Sequence, residues 1–169
     1  MTREAGVTPT VLYTYFEDMG ELRNRLGDSF LGGLDLSLLR NGTPPEGLRT
    51  FVRHVLDTFN ESPEHAALLA AQRIAGVHAL TLNEALLNFF IDAVGHPPPI
   101  AAGMTTFLTE WVHGRVLLSP SNPATDGFTH ALSRLDTADF PRTMAMLSTP
   151  GDESGVVDFV LEAITTGPD

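Results

Sequence analysis

Hydrophobic residues recur along this 169-residue chain mainly at helical spacing, three or four positions apart. The clearest stripe comes early and has a spacing of four, at Leu22, Leu26, Phe30, Leu34 and Leu38. It predicts one long amphipathic helix that turns a single face toward a core. Asp18 and Glu21 have the spacing of a capping box, so this helix is expected to begin beside them.

Seven further helices are predicted after the Pro- and Gly-containing breaker at 41–47. The spans are 48–59, 65–75, 81–94, 100–118, 128–135, 140–147 and 154–165. No stretch alternates with period two for long enough to predict a strand, and no internal repeat is visible. The sequence therefore predicts an all-α fold.

Composition places the chain among folded proteins, since 43% of its residues are hydrophobic and its length can bury a core. There is no cysteine, no apolar run of membrane-spanning length and no signal-peptide pattern. We therefore expect a cytoplasmic protein without a membrane partner. The net charge of −11 argues against a protein that coats nucleic acid, although it describes the whole chain rather than any one surface.

Other chemistries have little support in the sequence. The six histidines, which would be the natural metal ligands, are His54, His65, His78, His96, His113 and His130. None forms the i, i+4 pair with a carboxylate that is typical of a helical zinc site. No glycine-rich phosphate loop and no nucleophile elbow is present. We therefore predict no metal, no cofactor and no enzymatic activity.

The segment at 8–16 predicts a short helix with an unusual surface. Thr8 can cap it and Pro9 can open it, while Leu12 and Phe16 share a face. The other side presents hydroxyl and aromatic groups, which can contact phosphates and thymine methyls. Behind the turn at 5–7, this segment has the character of the second half of a helix-turn-helix, and the alternative is a capped surface helix. The predicted DNA-binding residues are Thr8, Pro9, Thr10, Tyr13, Thr14 and Tyr15.

The sequence REAGVTPTVLYTYFEDMGELRNRL, at 3–26, resembles the recognition-helix region of the tetracycline-repressor (TetR) family of bacterial transcription regulators. More loosely, the helices after residue 48 and the segment EWVHGRVLL at 110–118 resemble that family's C-terminal domain. The resemblance implies a homodimer whose C-terminal body binds a small molecule and alters the spacing of two DNA-reading heads. It implies a partial helix-turn-helix head with its connecting helix at 1–40, and a ligand-binding and dimerisation domain at 41–169.

Two departures from the family leave two functions open. On the family's usual plan the sequence begins at the end of the second helix of the head, so either its start is misassigned or the chain is truncated or only partly seen. Met19 stands where the family commonly places a lysine that grips phosphate. The first function is a repressor that binds operator DNA and is released by a hydrophobic effector. The alternative is a small-molecule-binding or interaction protein of the same fold that has lost DNA binding.

Residues on three of the predicted helices, largely apolar with a few polar groups, could line an effector cavity, given the resemblance. They are Phe51, His54, Val55, Leu82, Leu86, Phe89, Met104, Thr105, Phe107 and Trp111. The predicted effector is mainly hydrophobic, with His54 or Thr105 orienting one polar group. Tetracycline is not expected as the effector, since Phe51 and Val55 stand where tetracycline repressors have polar side chains that bind the drug. The alternative is that these residues form a dense core.

The last predicted helix has an apolar face formed by Val156, Val157, Val160, Leu161 and Ile164. The family pairs this helix and another from each subunit into a four-helix bundle, so the resemblance implies a dimer interface here. The alternative is that the same face closes the core of its own subunit.

Overall fold

The computed structural model describes residues 18–62, 64–65, 68–69, 73–117, 126–148 and 153–166. These residues form seven α-helices and no strand, which confirms the all-α prediction. The helices are α1 (Met19–Leu31), α2 (Pro44–Glu61), α3 (Val77–Asn88), α4 (Pro98–Leu117), α5 (Asp126–Leu132), α6 (Pro141–Ser148) and α7 (Glu153–Ile164). Two shorter elements are a 3₁₀ helix at Leu36–Arg40 and a π-helical turn at Phe89–Ala93 that continues α3. Among the described helices, none is both long and apolar enough to cross a membrane.

The first predicted helix begins as expected but ends early. The Asp18 carboxylate accepts a hydrogen bond from the Glu21 amide at 2.8 Å, so Asp18 is the N-cap. The prediction of one continuous helix through Leu38 is wrong, because α1 ends at Leu31 and a turn follows at Gly32. Glycine is about 1 kcal/mol less favourable than alanine inside a helix, and here two occur in succession. The chain then resumes as the 3₁₀ helix.

Helix α2 begins at Pro44, inside the segment that the sequence predicts to be a breaker. The Thr43 amide donates to the Glu46 carboxylate at 2.8 Å, and Pro44 stands in the first turn, where no amide is needed. The amide hydrogen bond, followed by that of the Thr43 hydroxyl, lowers the pKa of Glu46. The prolines therefore start the helix rather than separate two elements.

The core lies between α2, α3 and α4, and α7 closes it against α2. Helix α2 contributes the buried face that its periodicity predicts, with Phe51, Val52, Val55 and Phe59. An ion pair between Arg49 of α2 and Asp158 of α7, at 2.7 Å, holds the outer edge of this contact. Helix α3 packs on α1 at one side and on α4 at the other, so it joins the first helix to the body.

Candidate ligand cavity and helix junction

A cavity of about 50 Å³ lies among α2, α3 and α4, beside the end of α1. Its lining residues are Leu31, Leu34, Phe51, Val52, Val55, Phe59, Leu82, Leu86, Leu108, Thr109, Val112 and His113. All but Thr109 and His113 are hydrocarbon side chains. The cavity therefore offers burial to an apolar group but almost no hydrogen bonding in its interior.

The cavity has a buried floor and a mouth that reaches solvent. Most of its lining is buried, whereas Leu31, Leu82 and His113 are half-buried and Thr109 is exposed. Almost none of the cavity surface is formed by polar atoms, so Thr109 and His113 line it mainly with carbon atoms.

The His113 ring is held by its own helix. Its Nδ1 lies 2.7 Å from the Thr109 carbonyl oxygen. A carbonyl oxygen can only accept, so Nδ1 bears the proton in this hydrogen bond. In the neutral ring, Nε2 then carries a lone pair. The Thr109 hydroxyl donates to the Thr105 carbonyl at 2.8 Å, so its proton is already used within α4.

Four of the ten predicted ligand residues line this cavity, namely Phe51, Val55, Leu82 and Leu86. His54 lies on another side of α2, where its Nε2 accepts a hydrogen bond from the Asp35 amide at 3.1 Å. It thereby ties the segment after α1 to α2.

The remaining predicted ligand residues lie outside the cavity lining. Phe89 is buried, and its ring meets that of Phe90 edge-on at 5.2 Å between centroids. Met104 and Trp111 pack half-buried against the core, whereas Phe107 is 43% exposed. Thr105 is buried, and its hydroxyl has no hydrogen-bond partner within the described part of the chain.

Eight lining residues were missed at the sequence level. Four of them, Leu108, Thr109, Val112 and His113, occur on one side of α4 at helical spacing, so the periodicity of that helix could have identified them. Leu31 and Leu34 could not be identified in this way, because the break at Gly32 changes the register between them.

A polar junction joins α1 to the start of α3. The Asn24 side chain donates to the Ala75 carbonyl at 2.5 Å and accepts from the Ala75 amide at 2.8 Å. One turn further along α1, the Asp28 carboxylate accepts from the Ala79 amide at 2.9 Å. Ala79 is the third residue of α3, and its amide is one that an N-cap side chain would normally satisfy. Helix α1 therefore supplies the cap of α3.

Glycine at the N-cap position of α3 makes room for this arrangement. Gly76 has no side chain of its own to cap the helix, and a Cβ there would overlap the Asp28 carboxylate. Elsewhere in the contact, a Cβ on Gly27 would come within 2.6 Å of Ile74, and one on Gly32 within 2.7 Å of His78. Glycines on both sides thus allow α1 and the start of α3 to approach closely.

The predicted dimer residues of α7 fall on two sides of the helix. Leu161 and Ile164 are buried in the core of their own chain, and Val157 packs against it. Val160 is half-buried, whereas Val156 is 64% exposed. Phe159, which the sequence prediction omitted, is 73% exposed.

The predicted DNA-binding residues, Thr8, Pro9, Thr10, Tyr13, Thr14 and Tyr15, lie outside the described residues. The described residues begin at Asp18. Met19, in the first turn of α1, is exposed. Across the described residues, no three His, Asp or Glu side chains are grouped as metal ligands would be.

The chain is similar in fold to two solved structures. No protein-family model matches the chain, and no curated protein matches it significantly. A solved structure from Streptomyces coelicolor, described as a candidate transcription regulator, aligns with a TM-score of 0.65 and 22% identity over 99% of this chain and 83% of that one. A second such structure from the same organism aligns with a TM-score of 0.62 and 20% identity over 96% and 81%. This chain therefore shares its helical fold with two proteins described as candidate transcription regulators.

Proposed function

We propose that this chain is a ligand-responsive transcriptional regulator of the TetR type, which binds operator DNA as a homodimer and is released by a mainly hydrophobic small molecule. The fold shared with two candidate regulators is the observation that supports this most strongly. The resemblance of residues 3–26 to a recognition-helix region adds a DNA-reading segment directly before α1.

The arrangement of α1 and α3 fits such a regulator. Helix α3 places Leu82 and Leu86 on the cavity, and its first turn is capped by Asp28 of α1. Helix α1 directly follows the proposed DNA-reading segment. A guest that favours one position of α3 would therefore favour one position of α1, which is the differential binding that regulation requires.

DNA binding is tested with Tyr13→Ala and Thr14→Ala in the full chain. An operator is first selected from a random duplex library, and affinity is then measured by fluorescence anisotropy. Each substitution should weaken binding by about 1–3 kcal/mol if a base contact or a well-placed phosphate contact is lost. Thr106→Ala, on the exposed side of α4, is the matched control and should leave affinity unchanged. Unaltered affinity in both head variants would contradict the assigned recognition segment.

The proposed dimer seam uses the outward side of α7, around Val156 and Phe159, rather than the side that holds Leu161 and Ile164 in the core. A glutamate at Phe159 would place an unpaired charge in an apolar seam, so Phe159→Glu should yield a folded monomer in light scattering. Val77→Glu, at a similarly exposed apolar position of α3, is the control and should remain dimeric. A dimeric Phe159→Glu protein would rule out this seam.

The second candidate function is a ligand-binding protein of the same fold that does not bind DNA. Exposed Met19 favours it, because a methionine gives phosphate no charge to bind. The selection experiment separates the two functions. If no duplex is enriched while apolar guests still bind, the second candidate replaces the first.

A further inference from the structure

We infer that Arg23, on the second turn of α1, binds a phosphate of the DNA backbone next to the DNA-reading segment at 8–16. This inference rests on the proposed function, because it takes operator DNA as the partner of that segment. It adds a residue that anchors the DNA backbone, which the proposed function leaves unassigned.

The first two turns of α1 contain three charged side chains, and two of them neutralise each other. The Glu21 carboxylate is paired with the Arg25 guanidinium at 2.6 Å. Arg23 is exposed and has no hydrogen bond or ion pair within the described part of the chain. Asp18, which precedes the helix, accepts the Glu21 amide as the N-cap. The free cation at this end of α1 is therefore Arg23.

The direction of the Arg23 side chain brings its charge toward the DNA-reading segment. Side chains on an α-helix lean toward its N-terminus, and residues four apart lie on the same side. Met19 and Arg23 have this spacing, and both are exposed. An extended arginine side chain spans roughly 6–7 Å, which exceeds the rise of about 5.4 Å in one helical turn. The guanidinium can therefore reach the level of Met19, which follows the DNA-reading segment by three residues.

Other arginines are less suited to this contact. Carboxylates already bind three of them, namely Arg25, Arg49 and Arg53. Arg40 lies beyond the end of α1, on the 3₁₀ helix, and Arg142 lies on α6. Among the described residues, Arg23 is the first free arginine that follows the DNA-reading segment.

A backbone phosphate is the group on DNA that an arginine at this place fits best. The guanidinium presents a planar fork of N–H donors, which can bind two phosphate oxygens at once. The net charge of −11 repels DNA from the chain as a whole, so a cation beside the DNA contributes measurably to binding. A phosphate contact fixes position and carries no sequence information. Arg23 therefore supplies affinity, whereas the segment at 8–16 reads the bases.

The experiment measures how salt weakens DNA binding by the full chain, using fluorescence anisotropy and the operator obtained by duplex selection. Each phosphate that a cation neutralises contributes about 0.9 to the slope of log affinity against log salt concentration. Arg23→Gln should flatten this slope by that amount. Its loss of affinity relative to the wild type should then be about 3.5-fold smaller at about 200 mM salt than at about 50 mM. A scrambled duplex should lose the same factor as the operator.

Two further variants separate a local contact from bulk charge and from a structural role. Arg142→Gln removes the same charge from an exposed position of α6, so it should leave the slope unchanged. The double variant Met19→Lys/Arg23→Gln returns a positive charge one turn earlier on the same side of α1. It should restore the slope of the wild type, which it would not do if Arg23 only stabilised the helix.

The inference is overturned if Arg23→Gln keeps the slope of the wild type, or if Arg142→Gln flattens the slope equally. A double variant that keeps the shallow slope, or a loss confined to the operator, would overturn it as well. In each of these cases the wild type still binds DNA, so the proposed function stands. If the wild type enriches no duplex, the proposed function fails, and this inference fails with it.

Discussion

Helix α3 meets its neighbours in two chemically different ways. Toward the cavity it presents Leu82 and Leu86 to other hydrocarbon side chains, with empty space between them. At its start it is joined to α1 by hydrogen bonds between Asn24 and the Ala75 backbone and from the Ala79 amide to Asp28, and Gly76 leaves room for the Asp28 carboxylate. The first contact depends on area and volume, and the second on the positions of individual atoms.

This difference shows where the molecule can adapt and where it cannot. Dispersion contacts across a small void change gradually as side chains shift, so the cavity can admit a guest at modest cost. Hydrogen bonds to the Ala75 and Ala79 backbones are either made or broken, since they weaken steeply away from good geometry. A displacement of α3 that broke these hydrogen bonds would therefore release α1 in discrete steps.

The largest expected effect comes from enlarging the void with Leu86→Ala. Leu86 is buried, so its truncation should lower the free energy of unfolding by about 2–5 kcal/mol, measured by urea denaturation. Leu80→Ala, at an exposed position of the same helix, should change it by less than about 0.5 kcal/mol. Equal losses in the two variants would mean that the cavity side of α3 is no more tightly packed than its surface.

Substitutions at the α1–α3 junction are expected to lower the free energy of unfolding by less than Leu86→Ala. The effects of changing Asp28 and Gly76 should depend on each other. Asp28→Ala should lower the free energy of unfolding by about 0.5–2 kcal/mol, which is the usual loss when a helix cap is removed. Gly76→Ala should cost at least as much in the wild type, because the new Cβ displaces the carboxylate. In the Asp28→Ala background the same change should cost little. Additive losses in this double-mutant cycle would contradict the shared cap.

A smaller and more local effect is expected for Asn24→Ala. Both of its hydrogen bonds to Ala75 are exposed, so each should contribute about 0.5 kcal/mol, the lower end of the usual range. Hydrogen exchange should accelerate at the Ala75 amide by a factor that matches the lost stability. Ser29→Ala, at an exposed position of α1, is the control and should leave that amide unchanged.

The smallest effect is expected at the start of α2, away from both contacts. Hydrogen bonds from Thr43 lower the pKa of Glu46 in the folded chain relative to its ordinary value. The capping box therefore stabilises the fold fully above that ordinary value, and the stabilisation is lost as the pH falls through the folded pKa. Glu46→Gln should flatten this acid-side decline in denaturation midpoints, and an identical decline in both proteins would show that the box contributes nothing.

Sequence patterns predicted those features that local physics determines. The buried face of α2 follows from the spacing of Phe51, Val55 and Phe59, and the start of α1 follows from Asp18. Four of the twelve residues that line the cavity were among those predicted. The end of α1 was missed because a leucine stripe continued past Gly32, where the backbone preference of glycine outweighed the hydrophobic pattern.

The junction could not have been predicted in the same way. Asp28 and Ala79 are 51 residues apart, and neither has a local motif that indicates the other. Gly76 resembles an ordinary loop glycine until the carboxylate beside it is seen. A long-range contact of this kind depends on how the two helices pack and not on the sequence near either residue.

The borrowed cap of α3 also imposes an order on folding. A helix of twelve residues without its own N-cap is marginal in water, so the first turn of α3 is completed only when α1 has docked. During synthesis α1 emerges first and must await the residues around Ala79, and closing that loop costs chain entropy before the hydrogen bond forms. We therefore expect the α1–α3 contact to form late in folding, whereas the N-cap of α1 and the capping box of α2 are local and can form early.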